Sequence, residues 1–295
     1  MMKIYSLLLL SFYLLSCSGQ KTPKLKTNSG NNTLLWQVSG NGLTRPSYLF
    51  GTFHLLCKED IHFSEQLKKA MKASDEVYLE LKMDDPATLL GGMLYMNMKD
   101  GKSLKDLYSA ADYKRIEAYF TDSLHTPLML LGKMKPELLV SLLYPKMMDC
   151  KFPSGVEEEL MKLTKEYKKE IKGLETVQFQ AAIFDSIPYS VQAKDLLDNI
   201  DSFQTNKAQF NVMLSTYKKQ LLDSLSENIV NDKETKDYSA ILVTNRNKNW
   251  VGQLKDIMKN HAVFVAVGAG HLPGTDGLID LLRKQGYTLT PLNNR

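Results

Sequence analysis

The chain has 295 residues, of which 43% are apolar and 24% charged, and carries a formal charge of +4. That length buries a sizeable core as one large domain or two small ones, and the composition is globular rather than disordered. The small positive excess is spread thinly, with Lys and Glu alternating within helical stretches, which argues against a nucleic-acid surface.

The first residues read as a targeting segment. Lys3 supplies a short positive region, Ile4 to Leu15 an apolar core too short for a comfortable transmembrane helix, and Leu14-Leu-Ser-Cys17 closes it. The Leu-x-Ser-Cys ending resembles the bacterial lipobox, so residues 1–16 are expected to be a lipoprotein signal peptide and Cys17 a lipidated first residue. Ordinary signal cleavage nearby is the alternative. Residues 17–33 are polar and read as a flexible tether, which leaves 34–295 as one domain. Cys57 and Cys150 then form an even pair in an exported chain, where oxidising compartments favour a disulfide. The rival is metal ligation, because His54-x-x-Cys57 has ligand-like spacing.

Leu34 to Val38 and Ser47 to Phe53 have strand patterning and are joined through Asn41-Gly42 and Pro46, which predicts a hairpin. The second strand ends in Gly51-Thr-Phe-His54. Leu67, Ala70 and Met71 predict a helix over 63–74, and Val77 to Leu81 predicts a strand carrying Glu80 at its centre. A carboxylate there is either in water on an edge strand or buried for a reason. Residues from about 86 to 231 read as a helical insertion, broken at prolines 127, 136, 145, 153 and 188. Within it Ser154-x-x-Glu157 matches a capping box, which accounts for Glu157 to Glu159 without chemistry. Met147, Met148 and Met161 read as core filler, and Lys169 to Leu174 as a strand delivering Glu175.

The last long helix, from Tyr238 to about Lys259, has an apolar stripe of Leu242, Trp250, Leu254 and Ile257. Arg246 lies on that stripe, and an inward guanidinium must meet a carboxylate or a bound anion. An internal ion pair with Glu80 or Glu175 is the structural reading, and a substrate-orienting or charge-stabilising arginine the functional one. The apolar run Ala262 to Val267 then predicts a strand buried on both faces, ending in Gly268-Ala-Gly-His271. A helix through Leu278, Leu281 and Leu282, set off at Thr275-Asp276, and a strand from Tyr287 to Leu292 finish the chain.

Gly-x-x-His therefore occurs twice, each time after a strand and before a leucine. With 17 glycines and 5 histidines, roughly 0.3 occurrences are expected by chance, so a matched pair points to a shared site. Two imidazoles and a carboxylate around a divalent ion, with one position open to water, form a standard catalytic arrangement. The expected fold is α/β, a central mixed sheet built from the two Gly-x-x-His units with a large helical middle region. The expected ligands are His54, His271 and Glu80.

The chain resembles the TraB/GumN family, which includes the Tiki proteins. The matching pieces are Leu49-Phe-Gly-Thr-Phe-His54-Leu, Val77-Tyr-Leu-Glu80-Leu, Gly173-Leu-Glu175-Thr with Gln180, Phe184-Asp-Ser-Ile-Pro188, Arg246-Asn247 and Val265-Ala-Val-Gly-Ala-Gly-His271-Leu-Pro-Gly274. The family's two motifs, its glutamate and its arginine fall here on Gly51/His54, Gly268/His271, Glu80 and Arg246. The resemblance implies an α/β fold and a divalent-metal hydrolase site, with metalloprotease activity in the Tiki branch. The reading is a membrane-tethered hydrolase of peptide or amide bonds in the bacterial cell envelope, using Mn, Co or Zn. Glu80, Glu175 and Arg246 would be catalytic, and Arg246 and Asn247 would bind substrate. The alternative is a non-enzymatic lipoprotein that captures a peptide, metal or metallocofactor in the same pocket. A structural lipoprotein with a degenerate site is disfavoured, because the site residues are all present.

Overall fold

The apolar stretches become one six-stranded sheet. The structure, a computed structural model, describes residues 32–225 and 238–295, so the signal segment, Cys17 and nearly all of the tether lie outside the described residues. The strands are β1 (Leu35–Gly40), β2 (Ser47–Thr52), β4 (Glu76–Leu81), β6 (Glu170–Glu175), β7 (Val263–Gly268) and β8 (Tyr287–Pro291). A separate two-residue ladder joins β3 (Leu56–Cys57) to β5 (Pro153–Ser154). Sheet order is β6-β4-β7-β2-β1-β8, with β6, β4, β7 and β2 mutually parallel and β1 antiparallel to both of its neighbours. The fold is thus the expected mixed α/β sheet with flanking helices.

Burial follows from this order. Every residue of β2 and of β7 is buried, as continuous apolar runs require of interior parallel strands. β4 lies between β6 and β7, so the edge-strand reading of Glu80 is excluded; its side chain is 6% exposed. The expected hairpin is present as β1–β2. Thr33, at the end of the expected tether, is already buried, and its hydroxyl donates to Leu292 O at 2.7 Å.

The helices around the sheet include α1 (Glu65–Ala73), α2 (Pro86–Tyr95), α3 (Ala110–Asp122), α4 (Pro136–Val140), α5 (Tyr144–Met147) and α6 (Val156–Glu166). They continue with α7 (Val177–Asp185), α8 (Tyr189–Asp201), α9 (Phe203–Lys218), α10 (Asn245–Asn260) and α11 (Leu278–Lys284). Met147 and Met148 are buried and Met161 packs against the core, as expected of filler. Among the described residues, no helix is long and apolar enough to cross a membrane.

Three local expectations are corrected. The N-cap of α6 is Gly155 without a side-chain cap, and Ser154 Oγ instead contacts Glu159 Oε1 at 3.0 Å, so the capping box does not form. The helix expected from Thr275-Asp276 begins at Leu278, because the backbone is still extended at Gly277, its N-cap, with φ −75° and ψ 156°. The long helix opens with a π-helical stretch, Ala240–Thr244, before α10 becomes regular at Asn245. π segments of this kind recur at functional sites, and this one lies directly before Arg246.

Cys57 and Cys150 form a disulfide with Cα atoms 5.8 Å apart. It ties β3, just beyond the first Gly-x-x-His, to the segment after α5. The pairing removes these two sulfurs from the alternative of metal ligation with His54. They still lie near Glu59, with donor atoms of the three within 4.8 Å of one another.

Candidate functional site

Because β2, β7, β4 and β6 are adjacent and parallel, their carboxyl ends share one edge of the sheet, where open α/β sheets bind ligands. In that spatial order they deliver His54, His271, Glu80 and Glu175. The two histidines are 217 positions apart in sequence, and pairing of Thr52 with Gly268 across β2 and β7 brings their motifs side by side. The two motif glycines act differently, Gly51 through close approach and Gly268 through its N–H. A Cβ on Gly51 would lie 3.1 Å from Ala269 Cα and 3.0 Å from Leu272 Cδ1, so glycine is what lets the Ala269–His271 turn rest on β2. Gly268 has φ −48° and ψ 133°, open to any residue, and contributes its N–H to Glu80 Oε1 at 2.9 Å.

Arg246 reaches this edge from α10. Its Nε donates to both Glu175 oxygens at 3.0 and 3.1 Å, and its Nη2 donates to Glu175 Oε2 at 2.9 Å and to Glu80 Oε2 at 2.5 Å. Gln180 Nε2 donates to the same two carboxylates at 3.2 and 3.1 Å. The ion pair expected with one glutamate or the other is therefore made with both. Nη1 donates to Leu242 O and lies 3.2 Å from His271 Nε2, while the guanidinium packs 4.8 Å over the Trp250 ring. Trp250 in turn meets the His271 ring at 4.5 Å between centroids.

Electrostatics divide the acids. Burial works against the Glu80 carboxylate, but Arg246, the two histidines and the Gly268 N–H outweigh it, bringing its pKa to about 2. Glu175 is raised above the ordinary value by burial, despite Arg246. Burial and then the Arg246 charge push His271 down to about 3, so it is neutral. His54 moves upward, because the nearby Glu157 carboxylate more than offsets its burial.

Each imidazole is held from behind at Nδ1. His271 Nδ1 is 2.7 Å from Asn247 Oδ1, and the Asn247 amide donates to His271 O and Asp276 O. Asn247 is fully buried, and both polar atoms of its amide are engaged by the His271 segment and Asp276. His54 Nδ1 is 2.6 Å from Glu157 Oε1. Glu157 was expected to cap α6; instead it points inward. Its position carried a signal, since Glu157, Leu160 and Thr164 form one buried stripe of α6. A charged residue on a helical stripe is the same pattern that singles out Arg246.

The donor chemistry fits a divalent metal. Anchoring Nδ1 makes Nε2 the nitrogen that would ligate in each histidine, the usual arrangement around metal-bound imidazoles. At His271 an ion would displace the contact that Arg246 Nη1 makes with Nε2 at 3.2 Å. Glu80 Oε1 lies 4.0 Å from His271 Nε2, close to chelating separation. Three buried carboxylates line the site: Glu80 and Glu175 pair with the Arg246 guanidinium, and Glu157 meets His54. Apart from His54 Nδ1, no donor among the described residues reaches either Glu157 oxygen, which leaves that carboxylate dependent on the imidazole. The donors of His54, Glu80 and His271 stand farther apart than the 4.8 Å spanned by the Cys57, Glu59 and Cys150 group.

A family model described as TraB/PrgY/gumN family matches residues 34–291, and the chain belongs to that family. Curated relatives include metalloprotease TIKI1 of Xenopus tropicalis, 23% identical over 89% of this chain and 62% of its own length. Metalloprotease TIKI2 of Danio rerio is 21% identical over 87% and 60%, and a metalloprotease TIKI homolog of Nematostella vectensis is 21% identical over 87% and 66%. The chain thus spans about three fifths of the length of the first two. No solved structure matches it.

Proposed function

We propose that this member of the TraB/PrgY/gumN family is a membrane-tethered, divalent-metal-dependent hydrolase of peptide or amide bonds. The observation that carries the reading is the convergence of His54, His271 and Glu80 at the carboxyl ends of three adjacent parallel strands, with Arg246 bridging Glu80 and Glu175. The metalloprotease names of the relatives agree with it.

His54 and His271 would hold the ion through Nε2 and Glu80 through its carboxylate, with Mn, Co or Zn suited to that set. When bound, the ion supplies Lewis acidity and a water acidified to a pKa of about 7 in favourable cases. Arg246 offers a fixed cation to a developing oxyanion or a substrate carboxylate, and its two glutamates prevent it from swinging away. Glu175, raised by burial, can hold a proton and release it within reach of Arg246. Asn247 keeps His271 in its ligating tautomer.

Lipidation at Cys17, with the polar tether after it, would anchor the domain to a bacterial envelope membrane, facing the periplasm or the exterior. The Cys57–Cys150 disulfide supports an oxidising compartment.

A second reading has its own observation. His54, Glu80, Arg246 and His271 are each under 10% exposed, a closed arrangement that suits capture of a peptide, metal or metallocofactor without turnover. Metal-loaded protein incubated with a peptide library separates the two, since a binder depletes ligand without forming products. His54→Ala and His271→Ala should each lose metal and turnover while keeping their circular dichroism. Glu80→Gln that loses metal is a ligand variant, and one that keeps metal but loses turnover has lost a base. Histidine variants that bind metal and cleave like wild type would end the shared-site reading.

A further inference from the structure

We propose that Glu157 is the positioning residue for His54, and that the β3–β5 clamp exists to bring the two together. The proposal rests on the metal-site reading of His54, and three observations carry it.

First, the carboxylate is committed to that imidazole. Its side chain is 4% exposed, Oε1 lies 2.6 Å from His54 Nδ1, and no other donor reaches either oxygen among the described residues. A buried carboxylate with no donor besides one imidazole is costly, so a purely structural role would favour an apolar residue on this stripe. Second, His271 is treated the same way by a different residue. Asn247 Oδ1 meets its Nδ1 at 2.7 Å, so both motif histidines are fixed from behind, one by an amide and one by a carboxylate. The hydrogen-bond partner at one ring nitrogen sets the tautomer and makes the other nitrogen the donor to a metal.

Third, the chain around both residues is arranged for close approach. Immediately after His54, Leu56 and Cys57 pair with Ser154 and Pro153, and Val156 N donates to Phe53 O at 3.1 Å. The disulfide pins Cys57 to Cys150, a few residues before this ladder. Between ladder and helix lies Gly155, where a Cβ would stand 2.9 Å from His54 O. Ladder, crosslink and glycine together seat the first turn of α6 directly against His54.

The test compares wild type with Glu157→Met, which fills the volume without an acceptor, and Glu157→Gln, which keeps a neutral one. Two readouts are taken. One is the His54 tautomer of metal-free protein at alkaline pH, from long-range proton–nitrogen NMR correlations. The other is affinity for Zn2+ or Co2+ added alone, by calorimetry. Expected results are an Nδ1–H tautomer in wild type, its loss in E157M, and an affinity drop of about 10- to 100-fold in E157M. E157Q should keep the tautomer and fall between the two in affinity. A folded E157M with the wild-type tautomer and affinity would overturn the proposal. Should E157M not fold, Glu157→Asp, which withdraws the carboxylate by one methylene, is expected to shift both readouts, and unchanged values again overturn it. If wild type binds neither ion, the metal reading fails, while the tautomer comparison still decides the role of Glu157.

Discussion

Replacing Arg246 by methionine removes the cation that makes this site tolerable to the fold. The side chain keeps its approximate length and apolar stem, so the loss is mainly electrostatic. In the wild-type protein the Glu80 carboxyl falls from its ordinary 4.5 to about 2, and Arg246 is the largest of the influences that lower it. That difference corresponds to about 3 kcal/mol favouring the carboxylate over the acid. Glu175, which receives three guanidinium contacts, loses its partner as well. Breaking a buried pair from one side typically costs about 3–5 kcal/mol, so Arg246→Met should lose at least 3 kcal/mol at neutral pH. The pH response should also invert. In wild type the Glu80 contribution is present above 4.5 and is lost as pH falls through about 2. In the variant, two buried carboxyls without a cation have raised values, so stability is regained as pH falls from neutrality and they protonate. The assay is urea unfolding at several pH values with a chelator present, so that no divalent ion replaces the guanidinium. Arg246→Met that unfolds at the wild-type midpoint, with the wild-type pH profile, would refute the account of a buried, charge-coupled site.

Gly51→Ala should destabilise by about 1–3 kcal/mol and weaken metal binding, because its methyl meets the backbone of the turn that presents His271; thermal melts and calorimetry check both. Reducing Cys57–Cys150, or replacing both with serine, should cost up to about 4.7 kcal/mol, the chain-entropy value for a closure of 93 residues. Denaturant unfolding with and without reductant measures it, and an unchanged midpoint contradicts the pairing. Cys17→Ser should release the protein from the membrane fraction or leave it unprocessed, and an acylated, membrane-bound product in that variant ends the anchor proposal.

The sequence by itself determined most of the elements and singled out most of the residues that meet at the candidate site. Valine-rich β7 could only be an interior strand, and the spacing of Leu242, Arg246 and Trp250 forced a guanidinium inward. The doubled Gly-x-x-His marked two strand ends as equivalent. These features are local, set by periodicity and side-chain type within a few residues. The partners were decided by the tertiary structure. Whether Glu80 faced water or the core depended on β4 lying between β6 and β7, a matter of strand order that no local pattern encodes. Arg246 taking both glutamates, and Asn247 holding His271 at Nδ1, depended on where α10 crosses the sheet edge. Glu157 is the sharpest case. Its first-turn position satisfied a capping rule, yet the ladder between β3 and β5 brings it against His54, and the proximity of a buried imidazole outweighs a cap that water could have replaced.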